Sequence, residues 1–258
     1  LGNGTSTHHI TFDSDSTPVT DESSFDEKMC FSKLSFSVAI EQVACGNLHS
    51  LFLDNSGTVW GTGWNVYGQL GFCSECDYIS SPQKVENLPT MKEISAGWVH
   101  SLFLDLNSEV WACGNGEYGN TGVLPTSKLL APTLVNSAGS CLPNIRTICA
   151  GRKASYCLDY EGYVYATGSN MYGELGLGDN TNRRSFRKLE GIPVIESLTF
   201  GVSHIVMLDL EGRLWGCGCN SRGELPGVLR GSNKPVLLPF SEQVGPRTTN
   251  SRNKSARN

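Results

Sequence analysis

ACGNLHSLFLDNSGTVWGTGWNVYGQLG, residues 44–71, decides the fold of this chain because the chain repeats nearly the same phrase. The second version, SAGWVHSLFLDLNSEVWACGNGEYGNTG, spans residues 95–122. A catalytic motif normally occurs once, whereas a phrase that recurs at a fixed interval is typical of repeat architecture. The copies therefore have to be counted before any residue is assigned a role.

Three glycine columns stay in register over four copies, and each column has spacings of 51, 54 and 50 residues. The columns are Gly46, Gly97, Gly151 and Gly201; Gly63, Gly114, Gly168 and Gly218; and Gly68, Gly119, Gly173 and Gly223. We refer to the first column as the anchor glycines. The agreement of the three columns establishes an internal repeat of about 50 residues.

Each copy contains the signals for four short strands. One strand leads into the anchor glycine, and an apolar run such as residues 51–53 follows it. An Asp-x-x-Gly turn (54–57) leads to a strand with an aromatic residue, and a Tyr-Gly-x-Leu-Gly phrase (67–71) and a polar loop precede the last strand. Asp caps such a turn and Gly supplies positive φ. Ser108 replaces that glycine in the second copy, which predicts a variant turn.

Four antiparallel strands in about 50 residues describe a β-propeller blade, and blades must pack radially to bury both faces. We therefore predict an all-β fold, a β-propeller of four-stranded antiparallel blades with about four full blades plus partial ones. The predicted divisions are 1–12, the end of a preceding repeat; 13–37, an acidic and serine-rich loop; 38–91, 92–145, 146–196 and 197–240, the repeats; and 241–258, a polar basic tail that we expect to be disordered.

Composition excludes several classes of function. The net charge of −5 argues against a general nucleic-acid-binding surface, and only segment 247–258, with four basic and no acidic residues, could touch nucleic acid or chromatin. Segment 13–27 has six acids and no bases, so it is either a loop insertion or an acidic docking segment. No apolar run approaches the roughly 18 residues of a membrane span, so we expect no membrane contact.

The histidines and cysteines are the candidates for chemistry. His49, His100 and His204 share one column, in which the third copy has Ala154, and we interpret them as hydrogen-bonded structural residues, because equivalent residues of successive blades lie apart around a ring. Cys73 and Cys76 have a metal or redox spacing without a second pair. We predict no metal, no cofactor and no covalent catalysis. Nothing demands disulfides, so we expect a cytoplasmic or nuclear location.

The copies resemble the regulator of chromosome condensation repeat. The resemblance rests on the Gly-x-x-His-Ser, Leu-Asp, Val-Trp-Gly and Tyr-Gly-Gln-Leu-Gly phrases, and it covers about residues 40–240 plus a half-unit at 1–8. It implies a seven-bladed propeller, of which this chain would hold about four blades and part of another. The founding member exchanges guanine nucleotide on the small GTPase Ran by binding its nucleotide-free state, which weakens nucleotide binding through linkage.

The resemblance therefore implies a protein partner such as a Ran-like small GTPase. The family's acidic residues in the loop after the anchor glycine are not matched, because these loops read Asn47-Leu48, Trp98-Val99, Arg152-Lys153 and Val202-Ser203. The clustered tryptophans of a light-sensing branch are not matched either, since only Trp98 stands in such a phrase. The alternative is an interaction scaffold of a larger protein without exchange activity. Under either hypothesis we expect the partner to be recognised by the positions that differ between copies.

Overall fold

The computed structural model describes residues 38–239 except 74–76, 125–127 and 138–139, and it describes only the backbone of 136–137 and 140–141. The predicted half-unit at 1–8, the acidic segment 13–27 and the basic segment 247–258 lie outside the described residues. The described part contains strands and turns, so it offers no helix that is long and apolar enough to cross a membrane.

Four sheets of four antiparallel strands follow one another along the chain, and in each sheet the strands pair in chain order. Blade 1 contains β1 (Ile40–Cys45), β2 (His49–Asp54), β3 (Val59–Trp64) and β4 (Tyr78–Lys84). Blade 2 contains β5 (Met91–Ala96), β6 (His100–Asp105), β7 (Val110–Asn115) and β8 (Lys128–Leu134). A short hairpin of β9 (Asn136–Ser137) and β10 (Ser140–Cys141) comes next.

Blade 3 contains β11 (Ile145–Ala150), β12 (Ala154–Asp159), β13 (Val164–Gly168) and β14 (Arg183–Lys188). Blade 4 contains β15 (Ile195–Phe200), β16 (His204–Asp209), β17 (Leu214–Gly218) and β18 (Ser232–Leu237). The prediction of an all-β propeller with four-stranded antiparallel blades is confirmed. The division into domains at the residues given above stays a prediction.

The recurrence of an aspartate and an aromatic residue six positions later has a local cause. Oδ1 of Asp54 accepts the backbone N–H groups of Ser56 (2.9 Å) and Thr58 (3.0 Å), and Oδ2 accepts the indole N–H of Trp60 (2.9 Å). Burial alone would raise the pKa of Asp54, but these hydrogen bonds and that of the Ser56 hydroxyl lower it to about 2. One carboxylate thus holds both the turn and the strand that follows it.

The turn of blade 2 keeps this arrangement without a glycine. The N–H of Ser108 donates to the carbonyl of Asp105 (3.1 Å), as the N–H of Gly57 does to Asp54 (2.9 Å). Ser108 itself adopts a positive φ of 66°, which a residue with a side chain rarely does. The variant turn expected from the sequence is therefore the same hydrogen-bonded turn, with strain at Ser108.

Strand direction separates the loops into two faces. Because the four strands of a blade alternate in direction, the loops after the first and third strands lie at one end, which we call the loop face, and the Asp-x-x-Gly turns lie at the other, the turn face. The extra residues of the second copy form the β9–β10 hairpin after a fourth strand, at the turn face. The insertion therefore lies at the opposite end of the blades from the loops that follow the first strands.

Three buried clusters form the core, and each one spans two consecutive blades. Leu51 and Val59 of blade 1 pack with Ile94 and Phe103 of blade 2. A second cluster joins blades 2 and 3, and a third joins blades 3 and 4. Since each of the three described junctions buries hydrophobic surface of two blades, much of the packing energy lies between blades.

Candidate partner-binding site at the channel mouth

The loops that follow the first strands of all four blades meet around one cavity of about 530 Å³. We call this cavity the channel mouth. Its lining consists of Cys45, Gly46 and Asn47; Ala96, Gly97 and Trp98; Ala150, Gly151 and Arg152; and Phe200, Gly201 and Val202. Asn47, Trp98, Arg152 and Val202, which differ in all four copies, are thus brought together from places about 50 residues apart in the chain.

The anchor glycines allow the loops to come this close. A Cβ on Gly97 would lie 2.3 Å from Cε1 of His100 and 2.5 Å from the carbonyl oxygen of Gly151. The loop of blade 2 is also tied to blade 3, since the N–H of Trp98 donates to the carbonyl of Gly151 (3.2 Å). A side chain at the anchor position would therefore push neighbouring blades apart at the mouth.

The mouth offers varied side-chain chemistry on a rigid rim. The guanidinium of Arg152 lies 3.6 Å from the centre of the Trp98 ring, a cation–π contact between neighbouring blades. Val202 is 63% exposed, and Asn47 adds an amide. No carboxylate belongs to the described lining. A cation, an indole, an amide and an alkyl group suit contact with a protein surface, and none of them forms a nucleophile–base pair.

The second residue after each anchor glycine was also predicted to bind a partner, but its side chain does not line the mouth. The backbone carbonyls of Leu48, Val99, Lys153 and Ser203 accept N–H groups at the ends of the third strands, at 2.7 to 2.8 Å. None of the four residues lines the mouth. Their carbonyls also lie against the second glycine column, since a Cβ on Gly63 would be 2.5 Å from the Leu48 oxygen. Binding by these four side chains stays a prediction.

Two of the three column histidines form a relay of hydrogen bonds between blades. Nε2 of His49 lies 2.9 Å from Oγ of Ser101, which donates to the carbonyl of Gln69 (2.6 Å). The same relay joins His100, Ser155 and the carbonyl of Asn120. Because each serine gives its proton to a carbonyl, the histidine must donate through Nε2.

Burial determines the charge of these histidines. It lowers the pKa of His49 to about 4 and that of His100 to about 3, with a smaller contribution to His100 from His49. Both rings are therefore neutral at pH 7, and their Nδ1 atoms have no hydrogen-bond partner within the described structure. A neutral ring fixed between blades fits a structural role.

The junction between blades 3 and 4 lacks the relay. Ala154 replaces the histidine, and Ile205 stands in the column of Ser101 and Ser155. The ring of Phe200 lies over Gly151, where a Cβ would be 1.9 Å from Cδ1, just as the histidine rings lie over the other anchor glycines. The hydroxyl of Tyr156 donates to the carbonyl of Glu174 (2.8 Å) in place of a serine. The joint change of Ala154 and Ile205 was visible in the sequence and was not recognised.

The cysteines in the strands behave as small buried residues. Sγ of Cys113 donates to the carbonyl of Gln69 and Sγ of Cys217 to that of Glu174, both at 3.4 Å, and burial raises the pKa of both thiols. Cys73 is exposed, and Cys76 lies outside the described residues. In the described ranges no group of three or more histidine, cysteine or carboxylate side chains is placed to hold a metal ion.

Comparison with known families identifies the repeat. A model described as the regulator of chromosome condensation (RCC1) repeat matches residues 40–69, 91–120 and 195–224, and a second model of this repeat matches 56–104. The matched ranges leave out most of the third copy, which has Ala154 in place of the column histidine.

Curated relatives are longer than this chain. It is 31% identical over 210 residues to the probable E3 ubiquitin-protein ligase HERC4 of Rattus norvegicus. The matched region covers 79% of this chain and 19% of HERC4. It is 30% identical over 218 residues to the ultraviolet-B receptor UVR8 of Arabidopsis thaliana. This match covers 81% of this chain and 48% of the receptor. The chain thus spans about a fifth of one relative and about half of the other.

Solved structures show the same fold. Human WBSCR16 matches with a TM-score of 0.70 and 26% identity, over 80% of this chain and 54% of that one. Prp20p of Saccharomyces cerevisiae matches with a TM-score of 0.69 and 23% identity, over 83% of this chain and 53% of that one. The second likeness concerns the fold alone.

Proposed function

Because this chain carries repeats of the RCC1 family, we propose that it is a protein-docking propeller that binds its partner at the channel mouth. One observation carries the proposal. Asn47, Trp98, Arg152 and Val202, one repeat position at which all four copies differ, line a single cavity on the loop face, whereas the glycines and histidines beside them hold the blades together. Binding residues typically lie on loops that a rigid scaffold positions.

Comparative capture from cell extract tests this function. The full chain, a Trp98→Ala/Arg152→Glu variant and a Lys84→Glu control are used as baits, and the captured proteins are quantified by mass spectrometry. Lys84 is the matched control because it is an exposed cation at the end of β4, near the turn face. We expect a set of proteins that the full chain and the control retain and that the mouth variant loses about tenfold or more, since interface aromatic and Arg residues dominate binding. Equal capture by all three baits would contradict docking at the mouth.

Guanine-nucleotide exchange on a Ran-like small GTPase is the second candidate. It is supported by the fold shared with Prp20p, whose structure was described together with its binding to Gsp1p and histones. It ranks second because the described lining of the mouth has no carboxylate, whereas the family resemblance implies acidic residues in these loops. A cytoplasmic or nuclear location is proposed with either candidate.

A nucleotide-release assay separates the two candidates. Ran-type and Rho-type GTPases loaded with fluorescent GDP are mixed with the full chain. Docking without exchange predicts an unchanged release rate, because only a protein that binds the nucleotide-free state more tightly weakens nucleotide binding. Acceleration of about tenfold or more that Trp98→Ala abolishes would establish exchange as the function instead.

A further inference from the structure

A second and larger cavity, of about 1200 Å³, lies on the loop face between blades 3 and 4. We call it the blade 3/4 groove, and the residues that matter in it are Arg152, Met171, Tyr172, Arg222, Leu229 and Arg230. Arg152 and Val202 line both this groove and the channel mouth. The groove is therefore a continuation of the proposed docking site.

Large apolar side chains are exposed along the groove. Met171 is 64% exposed, Tyr172 is 54% exposed, and Leu229 is exposed as fully as in an extended chain. An apolar patch of this kind on a soluble domain is typical of an interaction site, because burying it releases the water that it orders.

The groove also carries positive charge that no ion pair among the described residues neutralises. Within the described residues, ion pairs join Lys84 to Glu86, Asp179 to Arg183, and Arg213 to Asp209 and Glu211, so none involves an arginine of the groove. The carboxylate that lines the groove is Glu224, whose Oε2 accepts the backbone N–H of Arg222 (2.8 Å). Three arginines and one glutamate thus line the groove, and the surplus of positive charge favours an acidic ligand.

The two other junctions explain why the groove is open at this place. The ammonium group of Lys128 in blade 2 lies 6.0 Å from the ring centre of Tyr67 in blade 1. That of Lys153 in blade 3 lies 4.1 Å from the ring of Tyr118 and donates to its hydroxyl (3.0 Å). Each of these tyrosines is thus covered by a cation from the next blade.

Tyr172, the equivalent tyrosine of blade 3, has no such cover. Ser203 stands in the column of Lys153, and Gly231 stands in that of Lys128, because Ser232 pairs with Gly218 as Leu129 pairs with Gly114. Both cations that could cover the ring are replaced by small residues. The exposed aromatic surface is therefore a property of this junction and not of the repeat.

We propose that the blade 3/4 groove binds an acidic protein segment that carries apolar side chains, with its carboxylates on the arginines and its apolar groups on Met171, Tyr172 and Leu229. The proposal rests on the docking function and names the chemistry of the partner. Arg residues and aromatic anchors are the side chains that contribute most at interfaces. Carboxylates pair with guanidinium groups in a fixed geometry, so the sign of the charge determines specificity.

Fluorescence anisotropy with labelled peptides tests the groove on the full chain. The probe is a short peptide of glutamate, leucine and phenylalanine. One matched peptide has lysine for glutamate, and another has serine for the apolar residues. We expect the probe to bind at least about tenfold more tightly than either matched peptide, and about 500 mM NaCl to weaken it relative to about 50 mM.

Variants then locate the site. Arg222→Gln/Arg230→Gln should weaken binding of the probe about tenfold, Leu229→Ser should weaken it several-fold, and the control Lys84→Gln should leave it within about twofold. Asn47→Ala, which alters the mouth at a residue that does not line the groove, should also leave it within about twofold while it reduces capture of partners. The two results distinguish failure of the groove from failure of docking at the mouth.

Three outcomes would overturn the proposal: no binding of the probe up to about millimolar concentration, equal binding of the lysine peptide, or full affinity in the Arg222→Gln/Arg230→Gln variant. A fourth would overturn the idea of a separate partner. If deletion of residues 13–27 raised the affinity for the probe tenfold or more, the ligand of the groove would be the acidic segment of this chain.

Discussion

The junction between blades 1 and 2 and that between blades 3 and 4 occupy equivalent places in the repeat, yet different chemistry holds them. In the first, His49 donates to Ser101, which donates to a carbonyl of the preceding blade. In the second, Ala154 and Ile205 replace the donor pair, and the ring of Phe200 lies where a histidine ring would lie. The histidine ring of the polar relay and the ring of Phe200 thus occupy equivalent positions over the anchor glycine.

The difference shows that the relay changes as a unit. A buried histidine without its serine would leave a donor unsatisfied, at a cost of about 1–3 kcal/mol, and a buried serine without its histidine would leave an acceptor unsatisfied. Losing both and filling the space avoids that cost. The junction that has changed most inside is also the one whose loop face has lost its covering lysine. Coordinated departures from the repeat therefore mark the region that we assign to binding.

Placing a histidine back into the apolar junction should have the largest effect. Ala154→His puts an imidazole where the Phe200 ring lies and faces it with Ile205, so overpacking and an unsatisfied donor together should lower the free energy of unfolding by about 3–5 kcal/mol. Urea unfolding followed by tryptophan fluorescence measures the loss.

The triple variant Ala154→His/Phe200→Ala/Ile205→Ser rebuilds the relay and is the matched control. It should recover at least about half of the loss, because the three changes remove the clash and supply the hydrogen-bond acceptor. Additive effects, with the triple variant less stable than Ala154→His, would show that the two junction types are not interchangeable.

Acid should weaken the polar junctions and spare the apolar one. The pKa values of His49 and His100 are about 4 and 3 in the folded state, against about 6.5 in the unfolded chain. The unfolded state therefore binds more protons below pH 6.5, and the free energy of unfolding should fall by about 1.2 kcal/mol per histidine between pH 6 and pH 5. Hydrogen exchange, corrected for its intrinsic pH dependence, should show the loss in β2 and β6 before β16.

Glu93 opposes this trend and has to be removed as a variable. Its carboxylate accepts the Thr147 hydroxyl (2.6 Å) across the junction of blades 2 and 3, and burial raises its pKa, so its protonation favours the folded state as the pH falls. In a Glu93→Gln background the free energy of unfolding should fall more steeply with decreasing pH. The His49→Gln/His100→Gln variant should make this dependence on pH flatter. An unchanged slope in the double histidine variant would refute the assignment to these rings.

Removal of one relay serine should have a smaller effect. Ser101→Ala takes away the acceptor of His49 and the donor to the Gln69 carbonyl, and we expect a loss of about 1–3 kcal/mol in the free energy of unfolding. Tyr156→Phe breaks only the bond to the Glu174 carbonyl and should cost about 1 kcal/mol. Ser50→Ala, the same column on a blade with no described blade before it, should stay within about 0.5 kcal/mol. A loss at Ser50 equal to that at Ser101 would contradict a role between blades.

The sequence predicted what the repeat constrains. Glycine columns in register predicted the blades, because positions such as Gly63 and Gly97 tolerate no side chain whatever the neighbouring residues are. The variable residues beside the anchor glycines, Trp98 among them, were predicted as binding candidates. The structure places them around one cavity, and binding there stays a prediction. Leu48 and its equivalents were not distinguished from them. Their backbone carbonyls hold the ends of the third strands, and the Lys153 side chain covers Tyr118 instead of lining the mouth.

The groove could not be predicted from the copies alone. Tyr172 looks like Tyr67 and Tyr118 in the sequence, and all three belong to the same phrase. Its exposure depends on Ser203 and Gly231 in the next blade, and which column of one blade covers which residue of its neighbour is a matter of three-dimensional packing. The exposure of such a residue is predicted only when its own repeat position is read together with the position that covers it in the next blade.

Restoring the cover at the third junction is the smallest change and the one that most directly links the two regions. Ser203→Lys places an ammonium group where Lys153 stands in the preceding blade, above the ring of Tyr172. A cation–π contact at such an exposed site should raise the free energy of unfolding by about 0.5–1 kcal/mol. It adds a positive charge, so electrostatics alone would strengthen binding of the acidic probe, whereas covering the aromatic anchor should weaken it several-fold. Because the two effects have opposite signs, anisotropy of the variant decides whether the groove recognises its ligand through the open tyrosine or through charge alone.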